Sequence, residues 1–121
     1  MPKAQTRLLD VTDRQGTMLS ASKRMPVAPV TGVAMLDLDT LANASNPLNS
    51  AIVNVVASID GGQTWRHVAG FQWNGGDLGK DGTVQVRPAI KFDTTGLEDA
   101  RVRIEVEVPR RMRCGALVEL E

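Results

Sequence analysis

Few residues in this sequence are able to carry chemistry, and their types and spacing do not form a catalytic set. The chain of 121 residues contains one histidine, His67, and one cysteine, Cys114. A single thiol excludes an internal disulfide and a multi-cysteine metal site, and a single imidazole argues against a histidine-based metal centre. No segment has a nucleophile-elbow pattern, and nucleophile, base and oxyanion donors do not occur together. We therefore expect no catalytic residue, no metal, no cofactor and no enzymatic activity.

Aspartates and the single thiol leave some alternatives open. Asp37 and Asp39 have the spacing that places both on one face of a strand, and Asp77 and Asp81 share a glycine-rich segment. Either pair can contribute oxygen ligands to calcium, although neither has EF-hand spacing and turn formation is the simpler interpretation. The arginines beside Cys114 can lower the pKa of its thiol and make it reactive; an inert thiol near a turn is the alternative.

The most specific local pattern is the octapeptide Ser-Ile-Asp-Gly-Gly-Gln-Thr-Trp at 58–65. It resembles the Asp-box of sialidases and related β-propellers, whose pattern is Ser-x-Asp-x-Gly-x-Thr-Trp. The resemblance implies a structural turn in which Asp60 accepts hydrogen bonds from backbone amides and Trp65 is a core plug beneath the hairpin. Because the box recurs in that family and occurs once here, it predicts a hairpin and not a sialidase. The matching residues are Ser58, Asp60, Gly62, Thr64 and Trp65.

The aromatic side chains give a candidate ligand surface. Trp65, Phe71 and Trp73 have the same parity along one predicted strand, and the glycine-rich loop Asn74–Gly82 follows. Such a face can stack on a sugar ring, but in a chain with two Trp, two Phe and no Tyr the same side chains are needed for the core. The alternative function is therefore a carbohydrate-binding β-sandwich module. Its possible ligand-binding residues are Trp73, Asp77 and Asp81.

Basic residues are concentrated near the N-terminus and around residue 111, although the whole chain balances 14 Lys+Arg against 14 Asp+Glu. That balance argues against a general nucleic-acid binder, which must neutralise phosphates. Residues 1–31 are basic and contain prolines, as is typical of an extended arm that docks on a neighbour; an irregular edge segment is the alternative. The predicted partner-binding residues are Lys3, Arg7, Arg14, Lys23, Arg24, Arg110, Arg111 and Arg113.

The elements that must position these residues are short strands. Segments with period-two alternation, separated by Gly and Pro, lie at 6–11, 33–39, 51–59, 65–73, 84–90, 101–108 and after Gly115. Pro109 removes a backbone donor and is expected to end the clearest of them. About seven strands predict an all-β fold, a single antiparallel β-sandwich of immunoglobulin-like or jelly-roll type. We assign 1–31 to an N-terminal arm or edge segment and 32–121 to the β-sandwich domain.

Composition and resemblance together give an expected function. No apolar run is long enough to cross a bilayer, so we expect no membrane span. The DGGQTW hairpin and the alternating strand at 101–108 resemble the small β-sandwich structural proteins of tailed bacteriophages, of the capsid decoration or cement type. The resemblance implies a virion protein, made in the host cytoplasm, that binds a symmetric capsid or tail lattice through its arm and exposed strand faces. Its implied partners are other virion proteins and further copies of this chain, without direct contact to nucleic acid.

Overall fold

The structure is a computed structural model that describes residues 4–120, and its regular secondary structure is almost entirely β-strand. All seven strands pair in antiparallel fashion within one sheet, so the predicted all-β fold is confirmed. A short helix, α1, follows the third strand and is capped by Thr40. The elements in chain order are β1 (Ala4–Leu19), β2 (Lys23–Arg24), β3 (Thr31–Asp37), α1 (Leu41–Ser45), β4 (Ser50–Ser58), β5 (Arg66–Asn74), β6 (Ala89–Asp93) and β7 (Arg101–Leu120).

The sheet is arranged around β7. One edge of β7 pairs with β1 along most of its length and with β2 at its start. The other edge pairs first with β4, over 101–107, and then with β3, over 115–120. β5 continues the sheet beyond β4 and β6 continues it beyond β3, which gives the path β5-β4-β7-β3-β6. The outer strands β5 and β6 approach each other without pairing, so the sheet curls towards a barrel that stays open along this β5–β6 seam.

Alternate residues of the strands face inwards and form the core. In β7 the even-numbered side chains other than Arg110 are buried on both sides of Pro109, and they meet the buried side chains of β3 and β4. Most are Val, Ala, Leu or Ile, with Trp73 and Phe92 as the buried aromatics of the described residues. The core residues of β7 are Val102, Ile104, Val106, Val108, Met112, Cys114, Ala116, Val118 and Leu120.

Two of the predicted strand limits that are wrong lie at prolines. Pro109 does not end its strand. Residues 109–111 of β7 lie opposite Gln15, where the register between β1 and β7 shifts. The regular hydrogen-bond pattern is interrupted there, so the missing N–H of Pro109 costs no ladder hydrogen bond. The two strands predicted on either side of it are one. The strand predicted at 84–90 begins only at Ala89. The carbonyls of Val86 and Pro88 accept hydrogen bonds from the amides of Leu38 and Leu36. Because Pro88 has no N–H, it cannot donate a hydrogen bond to β3 in exchange.

The N-terminal region differs from the extended-arm interpretation of residues 1–31. The structure places residues 4–19 in β1, within the sheet, and not in an arm extended from the domain. The segment that follows is joined to the 94–100 loop, because the amides of Met25 and Asp99 donate to Ala100 and Pro26 respectively. Apolar side chains of this region contribute to the core, with Leu8 and Met25 buried. Lys3 lies outside the described residues.

Candidate functional site

The hairpin between β4 and β5 is held by a compact hydrogen-bond network. Ser58 Oγ accepts from the amide of Gly62 at 2.8 Å and donates to Asp60 Oδ1 at 2.7 Å. Asp60 Oδ1 also accepts from the amides of Gln63 and Thr64, at 3.1 and 2.9 Å, and Asp60 Oδ2 accepts from Thr64 Oγ1 at 2.5 Å. These bonds, above all those from Thr64, hold the pKa of Asp60 far below its usual range. Asp60 therefore clamps the turn, as its motif predicts.

Trp65 completes the hairpin on the outer face of the sheet. Its Nε1 donates to the carbonyl of Gly62 at 3.1 Å, and Gly62 has the positive φ of 94° that this close turn requires. The guanidinium of Arg103 lies 4.0 Å from the centroid of the indole ring, within the range of a cation–π contact. Trp65 is half-buried by these contacts and is not the core plug that was predicted.

A β-bulge in β5 explains where the aromatic side chains point. The pairing of β5 with β4 skips Val68, so Ala69 pairs with an inward residue of β4 and His67 pairs with an outward one. The extra residue reverses the alternation, which places Trp65 and His67 on the face opposite to Trp73. His67 Nε2 lies 3.2 Å from Asn54 Oδ1 on that outer face. The predicted common face of Trp65 and Trp73 is thus wrong.

The residues predicted for the alternative ligand site are only partly brought together. Trp73 and Asp77 line a small cavity of about 180 Å³, together with Gln85 and neighbouring residues. Trp73 is 6% exposed, so its ring offers little surface for stacking. Asp81 does not line this cavity. Its carboxylate accepts from the hydroxyl and the amide of Thr83, which lower the pKa of Asp81 and make it a turn residue.

Most of the predicted partner-binding cations are bound within the chain. Their partners are carboxylates or carbonyls of neighbouring strands and loops, so they do not form a free basic patch. Lys23 and Arg110 have no partner among residues 4–120. The pairs are Arg7 with Asp37 at 2.8 Å, Arg113 with Asp39 at 2.8 Å, Arg111 with Asp13 at 3.9 Å, Arg24 with Asp99, and Arg14 with the carbonyls of Cys114 and Asp10.

Asp37 forms a largely buried ion pair, and not one half of a calcium site. Burial raises its pKa, but the hydrogen bonds from Arg7 and from the amide of Asp39, together with the charge of Arg87, outweigh it and leave the pKa below the ordinary value. The carboxylate of Asp39 accepts a hydrogen bond from Arg113 at 2.8 Å, on the surface of the protein. Within residues 4–120 no group of three or more His, Cys, Asp or Glu side chains is placed to hold a metal ion.

The thiol of Cys114 is buried in the core and is not activated by its neighbours. Burial raises the pKa of Cys114 to about 11, and the opposing effect of Arg14 is smaller. Arg111 and Arg113, which precede it in the sequence, alternate to the other face of β7. The interpretation of a reactive thiol is therefore wrong.

A cleft of about 350 Å³ lies beside the hairpin and was not anticipated from the sequence. The bulge at Val68 turns Arg66 towards this cleft, because Arg66 pairs with the inward residue Ala57. The adjacent apolar pair Val68 and Ala69, which breaks the alternation of β5, is the sequence signal that could have revealed it. The lining residues are Ala57, Ile59, Asp60, Thr64, Arg66, His67, Val68, Gly96 and Leu97.

Comparisons of the chain with protein-family models, with curated proteins and with solved structures found no match in any of the three. Among residues 4–120 no helix has the length and apolar character needed to cross a membrane. The argument for a function therefore starts from the surface and the clefts of the chain itself.

Proposed function

We propose that the protein is a non-enzymatic structural component of a tailed bacteriophage particle, which attaches to a symmetric capsid or tail lattice. The observation that carries the proposal is a set of exposed apolar side chains on the loops that join the ends of β3, β4, β5 and β6. We call this surface the apolar loop end. It consists of Leu41, Leu48, Leu78 and Val86.

The loops of the apolar loop end are ordered by hydrogen bonds to each other. The amide of Gly75 donates to Asn49 and that of Gly76 donates to Ala44, both at 2.8 Å. The contact is so close that a Cβ on Gly75 would lie 1.7 Å from the carbonyl oxygen of Asn46. Apolar side chains held outwards on ordered loops are a favourable surface for protein association, because little conformational entropy is lost on binding.

An exposed strand face extends the proposed contact surface. Ile52 and Leu19 are exposed on β4 and β1, on either side of β7, where their backbones pair with Glu107 and Glu105. Apolar side chains with carboxylates between them resemble the mixed surface of a protein–protein interface. In this proposal the arginines of β1, which are paired within the chain, stabilise the sheet. The apolar side chains make the contact with the lattice.

The proposal is tested with the variant Leu48→Ser/Leu78→Ser. These side chains are 61% and 66% exposed, so the melting temperature should stay within about 2 °C of the wild type. Self-association in sedimentation equilibrium, or binding to purified particles of the phage that encodes the chain, should weaken at least about tenfold. Val27→Ser, at the opposite end of the molecule and 78% exposed, is the matched control and should retain association.

Two results would contradict this function. One is a wild-type chain that stays monomeric at every concentration and is absent from purified particles by mass spectrometry. The other is a Leu48→Ser/Leu78→Ser variant that associates as strongly as Val27→Ser.

The second candidate, a carbohydrate-binding module, is favoured by the small cavity that Trp73, Asp77 and Gln85 share. Trp73 belongs to the core, and Trp73→Ala should cost about 3–5 kcal/mol of stability whatever the cavity binds. Gln85→Ala and Asp77→Asn change exposed lining residues instead. Binding on an oligosaccharide array that either variant abolishes, at unchanged melting temperature, would replace the lattice proposal with this one.

A further inference from the structure

The 350 Å³ cleft exists because the sheet does not close. It lies at one end of the β5–β6 seam, between the start of β5 and the turn that follows β6, and the β4–β5 hairpin forms its third side. Its volume is at the lower end of the range of small-molecule sites, about 300–1,000 Å³. The walls are fixed on two sides, by the hydrogen-bonded hairpin and by the turn in which Leu97 donates to Thr94 at 2.8 Å.

The interior of the cleft is mainly apolar. Ala57 lies at its base, and Val68 and Leu97 pack against the core while still lining the cleft. Ile59 stands at its side and is 71% exposed, so its aliphatic side chain adds accessible apolar surface to the cleft. A short aliphatic group is the complement of this surface.

Arg66 supplies the uncompensated charge of the cleft. Among residues 4–120 it has no ion-pair or hydrogen-bond partner, in contrast to the paired arginines of β1 and β7. The other formal charge in the lining is the carboxylate of Asp60, whose two oxygens accept four hydrogen bonds from the turn. Those donors offset the field of Asp60, and the planar guanidinium of Arg66 is left to receive an anionic group, for which a carboxylate has matching geometry.

We propose that this cleft binds a small aliphatic carboxylate. The alkyl chain lies along Ile59, Val68 and Leu97, and the carboxylate accepts hydrogen bonds from Arg66. This site is independent of the apolar loop end and adds a ligand to a protein whose proposed function is structural. Binding there would join the hairpin to the turn after β6 across the open seam.

The test is a ¹H–¹⁵N NMR titration of the full chain with hexanoate, and separately with 1-hexanol, which has the same alkyl chain without the charge. Saturable shifts at Ala57, Val68 and Leu97 are expected with hexanoate, with a dissociation constant on the order of 1 mM for a ligand of this size. Arg66→Gln should weaken hexanoate binding about threefold or more and leave 1-hexanol binding within about 1.5-fold. Ile59→Ser should weaken both ligands by similar factors of about three.

Arg101→Gln is the matched control, because the Arg101 side chain is also exposed and has no partner among residues 4–120 but does not line the cleft. It should leave both titrations unchanged. The proposal is overturned if hexanoate up to about 20 mM shifts no cleft residue. It is equally overturned if Arg66→Gln and Arg101→Gln reduce hexanoate binding by the same factor, since that would mean non-specific attraction to positive charge.

Discussion

At the scale of single residues, Asp60 and Asp37 show how this chain uses its acidic groups. Asp60 is exposed, and its carboxylate replaces the backbone hydrogen bonds that a tighter turn would make. Asp37 is buried, and its carboxylate joins β3 to β1 through Arg7, across β7. Both are structural anions whose pKa values are lowered by the donors around them. These two carboxylates thus hold a turn and two strands in place.

Asp60→Asn tests the clamp through its pH dependence. Because the pKa of Asp60 is lower in the folded chain than its unfolded value of about 3.9, the ionised group stabilises the fold above about pH 4, and this stabilisation is lost as the pH falls through the folded pKa. In asparagine an NH2 group replaces one carboxylate oxygen, and it cannot accept the hydrogen bond that Thr64 Oγ1 donates to Asp60 Oδ2. At neutral pH the variant should therefore melt at a lower temperature than the wild type, and the difference should shrink progressively below pH 4.

The control for this measurement is Asp77→Asn. Asp77 is exposed, and its side chain has no partner among the described residues, so the melting temperature at neutral pH should not change. A difference between wild type and Asp60→Asn that is the same at pH 7 and pH 2.5 would show that the clamp does not depend on the charge of Asp60.

At the scale of elements, the contact between β1 and β7 depends on a glycine. A Cβ on Gly115 would lie 2.6 Å from the carbonyl oxygen of Leu9 and 2.9 Å from Val11 Cγ2. These residues belong to the part of β1 where the register with β7 shifts, so β1 passes close over β7 at this point. The close approach is possible because residue 115 has no side chain.

Gly115→Ala should destabilise the protein by about 1–3 kcal/mol, because the clash is with backbone that cannot move without loss of β1–β7 pairing. Urea denaturation followed by circular dichroism measures the change. Gly79→Ala is the control: its added Cβ would meet the amide end of Gln85, a flexible side chain that can rotate away. Equal stability changes in the two variants would refute the assignment of Gly115 as the point of close approach.

Elements whose alternation continues without interruption were predictable from the sequence, and those with an extra residue were not. Val102 to Val108 and the inward residues of β4 follow strict period two, and they are core residues as predicted. The bulge at Val68 inserts one residue, and every side chain before it in β5 changes face. Whether a strand accommodates an extra residue as a bulge depends on the strand that it pairs with. The orientation of Arg66, and with it the cleft, therefore depends on the pairing of β5 with β4, which the sequence of β5 alone does not reveal.

At the scale of the whole molecule, β1 and β7 together form a long antiparallel pair at the centre of the sheet. β1 covers one edge of β7 from Glu105 to Leu120, and it contributes Leu8 to the core. Removing it would expose a long unpaired edge and the core beneath. This dependence explains why the basic N-terminal segment cannot also be a free arm over residues 4–19.

A chain that lacks residues 1–19 should therefore fail to fold, with a collapsed ¹H–¹⁵N spectrum and no cooperative thermal transition. A synthetic peptide of residues 1–20 added in excess is expected to restore the dispersed spectrum by pairing with β7. A well-dispersed spectrum for the shortened chain alone would mean that β1 is dispensable, and the arm interpretation would then return.

The pairing of Ala4 with Leu120 has a consequence for how this molecule is made. Among the described strands a ribosome delivers β1 first and β7 last, so β1 has no partner until β7 has emerged. During that interval its apolar side chains are open to chaperones or to another nascent copy. Exchange of β1 between two growing chains would yield an intertwined dimer with the same hydrogen bonds. A lower concentration of the translated mRNA would favour the monomer, because two growing chains would meet less often.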